Sequence, residues 1–158
     1  MKESIIDLIN DSIRNFTNIS NDTSQLLLIE KITNDIIKAF NNNCKLLLCG
    51  NGGSAADAQH IAAELSGRFE MDREPLNAEA LHVNSSFLTA VANDYGYEEV
   101  YARMVAAKGQ KGDVLLALST SGNSSNVLKA IEQANLIGMI TIGFSGSDGG
   151  KMKDICKY

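Results

Sequence analysis

Residues 46–54 read LLLCGNGGS, an apolar run that ends in a glycine-rich turn. Four apolar residues in succession, with no polar alternation, are typical of a strand that is buried on both faces of a parallel sheet. A second such run, VLLAL at residues 114–118, ends in a turn rich in serine and threonine. The two runs predict an α/β fold in which parallel strands lead into loops at one edge of a sheet.

The remainder of the chain alternates strand patterns with helix patterns. Further strands are predicted near residues 78–83 and 139–144, and helices are predicted at residues 55–68, 86–92, 98–107 and 124–136. This alternation predicts right-handed crossovers and a sheet covered by helices on both faces. We therefore expect residues 43–158 to form a three-layer αβα sandwich of the flavodoxin-like or Rossmann-like type.

Residues 1–42 contain no glycine or proline and place apolar side chains at helical spacing, as in Ile5, Ile9, Ile13 and Phe16. They predict a helical hairpin that precedes the sheet domain. The polar cluster at residues 18–24 predicts the break, with Asp22 or Thr23 as the cap of the second helix. Because the apolar faces exceed what one sheet needs, we expect these helices to mediate oligomerisation.

Composition excludes several classes of protein. The 158 residues carry 19 acidic and 14 basic side chains and a net charge of −5, which disfavours a nucleic-acid partner. The N-terminus has neither the apolar run of a signal peptide nor a membrane span, so a cytoplasmic location is expected. The three cysteines, at positions 44, 49 and 156, lack metal-ligand spacing and are expected to be reduced.

The glycine-rich loop at residues 50–55 fits the G-x-G-x-x-A form of a dinucleotide-binding turn. That fingerprint also requires an acidic residue at the end of the next strand, to hold a ribose. Here the strand ends Leu81-His82-Val83-Asn84, so the sequence disfavours dinucleotide binding.

The hydroxyl loop, which we define as residues 119–124, reads STSGNS and opens a predicted helix. Its hydroxyls and the free amides of a helix N-terminus predict a phosphate site. The alternative is that these residues only cap the helix. No Walker lysine follows the loop, which disfavours a nucleoside triphosphatase.

His60 and Glu64 are four residues apart on a predicted helix, so they share one face. This pair is able to bind a metal or to move protons, and the spacing places it over the start of the ligand edge of the sheet. The alternative is a solvated surface pair. Two ligands are too few for a closed zinc site, and we interpret the other histidine, His82, as structural.

Seven motifs in the same order resemble the signature of the phosphoheptose isomerases, within the sugar isomerase (SIS) domain group. They are CGNGGS (49–54), DAQH (57–60), ELSGRF (64–69), ANDYG (92–96), GDVLL (112–116), STSGNS (119–124) and DGGKM (148–152). The resemblance extends over nearly the whole chain. It implies a homotetramer that interconverts sedoheptulose 7-phosphate and D-glycero-D-manno-heptose 7-phosphate, the first step towards nucleotide-activated heptose for lipopolysaccharide, capsule or glycoprotein.

The resemblance also implies roles for individual residues. Glu64 would be the catalytic base, and His60 and Glu64 would be ligands of one Zn²⁺ per subunit. The residues implied to contact the substrate are Asn51, Gly52, Gly53, Glu64, Arg68, Asn93, Asp94, Ser119, Thr120, Ser121 and Ser124. Family members continue with another strand and a long helix carrying Gln and His. That segment would supply the remaining zinc ligands and the second acid/base, and residues 43–158 are expected to lack it.

Two relatives with the same fold provide alternative functions. One SIS family binds a bacterial replication initiator without catalysis, and it usually lacks the Glu that Glu64 matches. The presence of Glu64 and Gly67 therefore favours an enzyme. A phosphosugar-sensing regulatory domain would carry a fused DNA-binding segment, and the acidic N-terminal helices do not resemble one.

Overall fold

The chain divides into two compact units, residues 1–35 and residues 36–158. The computed structural model describes residues 2–158, so Met1 of the predicted helical hairpin lies outside the described residues. Helix α1 spans Lys2–Asn21 and helix α2 spans Thr23–Asn41, which confirms the two predicted N-terminal helices.

Asp22 separates α1 from α2. Its Oδ1 accepts hydrogen bonds from the backbone N–H groups of Ser24 (3.0 Å) and Gln25 (3.1 Å), so Asp22 caps α2, one of the two predicted alternatives. The break between α1 and α2 is one residue wide, which is narrower than the polar cluster at residues 18–24 predicted. Thr17 and Ser20 donate their hydroxyl protons to main-chain carbonyls of α1, and α1 therefore continues through polar residues.

Four parallel strands form the sheet, in the order β2-β1-β3-β4. Their bounds are β1 Leu46–Cys49, β2 Ala78–Ala80, β3 Val114–Ser119 and β4 Ile140–Ser145. The predicted parallel α/β fold is confirmed. Strand β2 is shorter than predicted because its last bond to β1 runs from Leu81 N–H to Leu48 O (2.9 Å), where β1 itself is about to end.

Helices connect the strands and cover both faces of the sheet. Their bounds are α3 Gly53–Ser66, α4 Ser85–Asp94, a 3₁₀ turn at Tyr97–Glu99, α5 Val100–Lys108, α6 Ser125–Ile137 and α7 Met152–Ile155. The crossover from β1 to β2 runs in the opposite direction across the sheet to the crossovers that lead to β3 and β4. Right-handed crossovers therefore place α3 on one face and α4–α6 on the other.

The core lies between the sheet and helices α5 and α6. Leu47 and Leu115 project from the central strands into a cluster with Val105 and Ile131, and all four side chains are fully buried. Cys49 belongs to the same cluster, and burial raises the pKa of its thiol to about 12. The three cysteines are free, in agreement with the prediction.

The backbone of Tyr158 lies beside β4, where it donates to Thr141 O (3.2 Å) and accepts from Gly143 N–H (2.8 Å), as in a parallel ladder. Among residues 2–158, no helix combines the length and the apolar character that crossing a membrane requires.

A buried carboxylate joins the starts of the two central strands. The side chain of Asp113 is 2% exposed and lies 2.7 Å from the Lys45 ammonium. It also accepts from the backbone N–H groups of Lys45 (3.0 Å) and Gln110 (2.8 Å). These three contacts satisfy a charge that would otherwise be costly to bury.

We predict that Asp113→Ala lowers the free energy of unfolding by about 3–5 kcal/mol, because it leaves the partly buried Lys45 ammonium without its carboxylate. The measurement is urea denaturation of the full-length protein. Glu98→Ala is the control, since it removes an exposed ion pair with Lys129 and should cost at most about 1 kcal/mol. Equal losses in the two variants would contradict the assignment of Asp113 as a stabilising buried charge.

Candidate functional site

The order of the strands reverses between β1 and β3, and in parallel sheets ligands bind at this point, beyond the carboxyl ends of the strands. The glycine-rich loop follows β1 and the hydroxyl loop follows β3. A cavity of about 240 Å³ lies between the two loops. Its lining residues are Asn51, Ser54, Leu118, Ser119, Thr120, Ser121 and Ser124.

The hydroxyl loop presents its side chains without using them to cap α6. The hydroxyls of Ser119 and Ser124 are hydrogen-bonded to each other at 2.9 Å. Ser124 directly precedes α6, yet within the described chain its side chain makes no capping hydrogen bond to that helix. Backbone amides at the start of α6 are therefore not occupied by the Ser124 side chain, and they are free to bind an anion together with the hydroxyls.

Main-chain contacts with the turn after β4 hold the hydroxyl loop in place. Thr120 O accepts from Gly146 N–H (2.9 Å), and Gly122 O accepts from Met152 N–H (3.1 Å). Gly122 has φ +62°, and a Cβ there would lie 2.1 Å from Gly149 O. The loop is therefore fixed through its backbone and through the Ser121 hydroxyl, which accepts from the Asn123 N–H at 3.2 Å.

The glycine-rich loop is fixed by side chains from three other segments. Gly52 has φ +55°, a conformation that a side chain disfavours, and it directly precedes α3. The carboxamide of Asn51 forms two hydrogen bonds with that of Asn126 in α6, at 2.8 and 2.9 Å. The Tyr101 hydroxyl donates to Gly50 O. Burial raises the pKa of Tyr101, so its phenol stays protonated and remains a donor.

Sequence reasoning did not identify Asn126, Tyr97 or Tyr101 as parts of this region. Asn126 is buried in the first turn of α6, and the Tyr97 hydroxyl donates to Asn51 Oδ1 at 3.3 Å. Each contact joins segments far apart in sequence, which periodicity does not report. Ser54 also lines the cavity, and only its place in the glycine-rich motif pointed to it.

His60 and Glu64 form the predicted pair on α3, with His60 Nε2 3.1 Å from Glu64 Oε1. The side chains are 76% and 39% exposed, respectively, and neither is among the residues that line the cavity. Helix α3 returns along the sheet from its carboxyl edge, so Glu64 lies about 15 Å along the helix axis from Ser54. The pair therefore lies further from the ligand edge than we expected from the sequence.

The donor chemistry of this pair fits zinc. An imidazole nitrogen and a carboxylate oxygen are ordinary zinc ligands, and here they face each other on two adjacent helical turns. Among residues 2–158, no group of three or more His, Cys, Asp or Glu side chains is placed to hold a metal ion. A zinc ion held here would take two of its ligands from this pair.

The other residues implied by the resemblance lie outside the cavity lining. Arg68 is exposed after the end of α3. Asn93 and Asp94 end α4, where they are exposed and Asn93 Nδ2 donates to Asp94 Oδ1 at 2.8 Å. The structure therefore brings Asn51 and the four hydroxyls of the hydroxyl loop together around one cavity. Substrate contacts stay predictions for these residues and equally for Gly52, Gly53, Glu64, Arg68, Asn93 and Asp94.

Comparisons with known proteins agree with this fold. The sequence model of the SIS domain matches residues 10–146. The chain is 58% identical over 120 residues to the phosphoheptose isomerase of Helicobacter pylori, covering 76% of this chain and 62% of that protein. It is 48% identical over 158 residues to the enzyme of that name from Clostridium acetobutylicum, covering 100% of this chain and 81% of that protein.

A solved structure, that of a phosphoheptose isomerase from Neisseria gonorrhoeae, superposes with a TM-score of 0.89 at 39% sequence identity. The superposition covers 99% of this chain and 80% of that one. The chain spans less than two thirds of the length of the H. pylori relative.

We predict that Gly122→Ala lowers the free energy of unfolding by roughly 2–5 kcal/mol, because it combines a positive φ with a backbone clash. Gly53→Ala is the matched control: a Cβ there meets no described atom within 4 Å, and the first residue of α3 needs no positive φ. It should change the stability by about 1 kcal/mol or less. Urea denaturation compares the two, and an unaffected Gly122→Ala protein would show that the turn after β4 does not constrain the loop.

Proposed function

The chain belongs to the SIS domain family and, within it, to the phosphoheptose isomerase family. We therefore propose that it is an aldose–ketose isomerase. Its substrates would be sedoheptulose 7-phosphate and D-glycero-D-manno-heptose 7-phosphate. The observation that carries this proposal is the hydroxyl loop, which faces a cavity at the start of α6 without capping it. The product would supply nucleotide-activated heptose for lipopolysaccharide, capsule or glycoprotein.

The phosphate group of the sugar would bind at the hydroxyl loop. Of the described residues that line the cavity, none is basic, so hydroxyl and amide groups would supply the hydrogen bonds. The dipole of α6 favours negative charge at this position. Ser119 is buried and its hydroxyl is hydrogen-bonded to that of Ser124, so these two groups are already in place before the phosphate arrives.

The isomerisation moves one proton between adjacent carbons. In the direction from ketose to aldose, a base removes a proton from C1 while an acid protonates the oxygen on C2, which gives an enediol. C2 then receives a proton and the oxygen on C1 loses one. We assign the base to Glu64, which is the carboxylate partner of His60.

The proposal requires the reacting end of the sugar to lie well away from the phosphate, because Glu64 is about 15 Å along the axis of α3 from Ser54. The reacting carbons lie at the end of the seven-carbon chain that is remote from the 7-phosphate. A phosphate held at the hydroxyl loop therefore leaves the reacting end of the sugar to extend away from that loop. Orientation by the phosphate would supply part of the rate acceleration.

We also propose that His60 Nε2 and Glu64 hold one Zn²⁺ per subunit, which fits the donor types of the pair. When bound, zinc supplies Lewis-acid stabilisation of negative charge on the enediolate oxygens. The remaining ligands, a Gln and a His on a C-terminal helix, stay predictions from the family resemblance.

We further propose that the protein acts in the cytoplasm as a homo-oligomer, a tetramer by family resemblance, assembled through α1 and α2. The support is an apolar face on α1. Ile5, Ile9, Ile13 and Phe16 follow one another at helical spacing, and they are 54%, 55%, 58% and 75% exposed. Such a face on a single chain is expected to be covered by another protein surface.

Glu64→Gln and Ser124→Ala should change different kinetic constants. Glu64→Gln keeps the shape but removes the base, so kcat should fall by about 10²–10⁴-fold with little change in affinity for the sugar phosphate. Ser124→Ala removes a phosphate contact, so KM should rise by about tenfold while kcat changes less. Steady-state kinetics and calorimetry on the full-length protein measure both quantities. Wild-type turnover by Glu64→Gln would exclude the assigned base.

Disrupting the apolar face of α1 should reduce the oligomer. Ile9→Ser combined with Phe16→Ser exchanges two exposed apolar side chains for polar ones, and light scattering should then report a smaller mass. Asp7→Ser combined with Asn18→Ser changes the opposite, polar side of α1 and should leave the mass unaltered. An unchanged oligomer in the first variant would contradict assembly through this face.

A further inference from the structure

The carboxamide of Asn51 is almost fully engaged by its neighbours. Its Oδ1 accepts from Asn126 Nδ2 at 2.9 Å and from the Tyr97 hydroxyl at 3.3 Å. Its Nδ2 donates to Asn126 Oδ1 at 2.8 Å. An amide oxygen has two lone pairs and an amide nitrogen carries two protons. Both acceptor positions of Asn51 are therefore occupied, and one N–H remains.

Asn51 also lines the cavity beside the hydroxyl loop. With its oxygen occupied, the only hydrogen-bonding group that this side chain has left is a donor. An anionic or hydroxyl-rich ligand offers oxygen acceptors, so a donor is the group that suits it. A side chain turned the other way round would present a carbonyl oxygen and repel a phosphate or an enediolate.

We propose that Asn126 is a positioning residue, which acts through Asn51 and, together with Tyr97, keeps the free N–H of Asn51 directed at an oxygen of the sugar phosphate. This inference rests on the proposed function for the identity of the ligand. Asn126 is 3% exposed and lies one residue after the start of α6, so it is held by the same helix whose N-terminus adjoins the hydroxyl loop. The amide pair thereby couples the orientation of the glycine-rich loop to the position of the hydroxyl loop.

Asn135 provides a matched control on the same helix. It is also a carboxamide with two hydrogen bonds, donating to Ile155 O (2.8 Å) and accepting from the Thr141 hydroxyl (3.0 Å). It lies towards the opposite end of α6 from the cavity. Asn135→Ala therefore controls for the loss of a hydrogen-bonded carboxamide from α6, at an exposed position rather than at a buried one.

The test is a double-mutant cycle in the full-length protein, with sedoheptulose 7-phosphate as the probe. Asn51→Ala and Asn126→Ala should each lower kcat/KM by about tenfold, the effect of one hydrogen bond, while Asn135→Ala should leave it unchanged. In the Asn51→Ala background, Asn126→Ala should have no further effect, because the group that it orients is gone. Tyr97→Phe, at an exposed side chain that does not threaten folding, should cause a smaller loss. Additive losses from Asn51→Ala and Asn126→Ala would overturn the proposal.

A second measurement needs neither turnover nor ligand, and so separates this proposal from the isomerase activity. In amide NMR spectra, one side-chain proton of Asn51 should exchange slowly, being bonded to Asn126, and the other should exchange quickly. Asn126→Ala should remove this difference and Asn135→Ala should preserve it. Equal exchange of the two protons in the wild-type protein would overturn the proposal even if the protein is an active isomerase. Unequal exchange in an inactive protein would sustain the orientation of Asn51 and reject only the proposed reaction.

Discussion

The parallel pairing of β1 with β3 is the constraint on which the site depends. Their register joins Leu46 to Val114 and Cys49 to Ala117, so the carboxyl ends of both strands reach the same edge of the sheet. The strand order reverses at this pair, which leaves a gap between the helices that follow the two strands. The cavity and the amide pair between the two loops both occupy that gap.

The site combines a fixed backbone with polar side chains that line the cavity. The turn after β4 satisfies main-chain groups of the hydroxyl loop. In the glycine-rich loop, Tyr101 donates to the Gly50 carbonyl and Asn126 pairs with the side-chain carboxamide of Asn51. Ser124, which would otherwise cap α6, is left facing the cavity. The Ser121 hydroxyl, by contrast, also closes the turn by accepting from the Asn123 N–H at 3.2 Å. A site arranged in this way needs little reorganisation when an anion binds, because its donors are already directed at the ligand.

The strands and the hydrogen-bonding groups of the site were predictable to different degrees. The unbroken apolar runs predicted β1 and β3 because a strand buried on both faces consists mainly of apolar residues. Helical periodicity likewise predicted that His60 and Glu64 would meet, since that contact is local. Asn126 could not be predicted, because a buried amide inside a helix is explained only by its partner 75 residues away. The distance of Glu64 from the cavity also depends on the direction of α3, which the spacing of two residues does not contain.

The proposed site for the phosphate of the sugar lies between the glycine-rich and hydroxyl loops. Titration calorimetry of the full-length protein with sedoheptulose 7-phosphate and with unphosphorylated sedoheptulose tests it most directly. We predict that the phosphorylated sugar binds at least about a hundredfold more tightly, since hydrogen bonds to a charged group contribute about 1.5–3 kcal/mol each. Inorganic phosphate should also compete with the sugar phosphate. Equal affinity for the two sugars would contradict the proposed site.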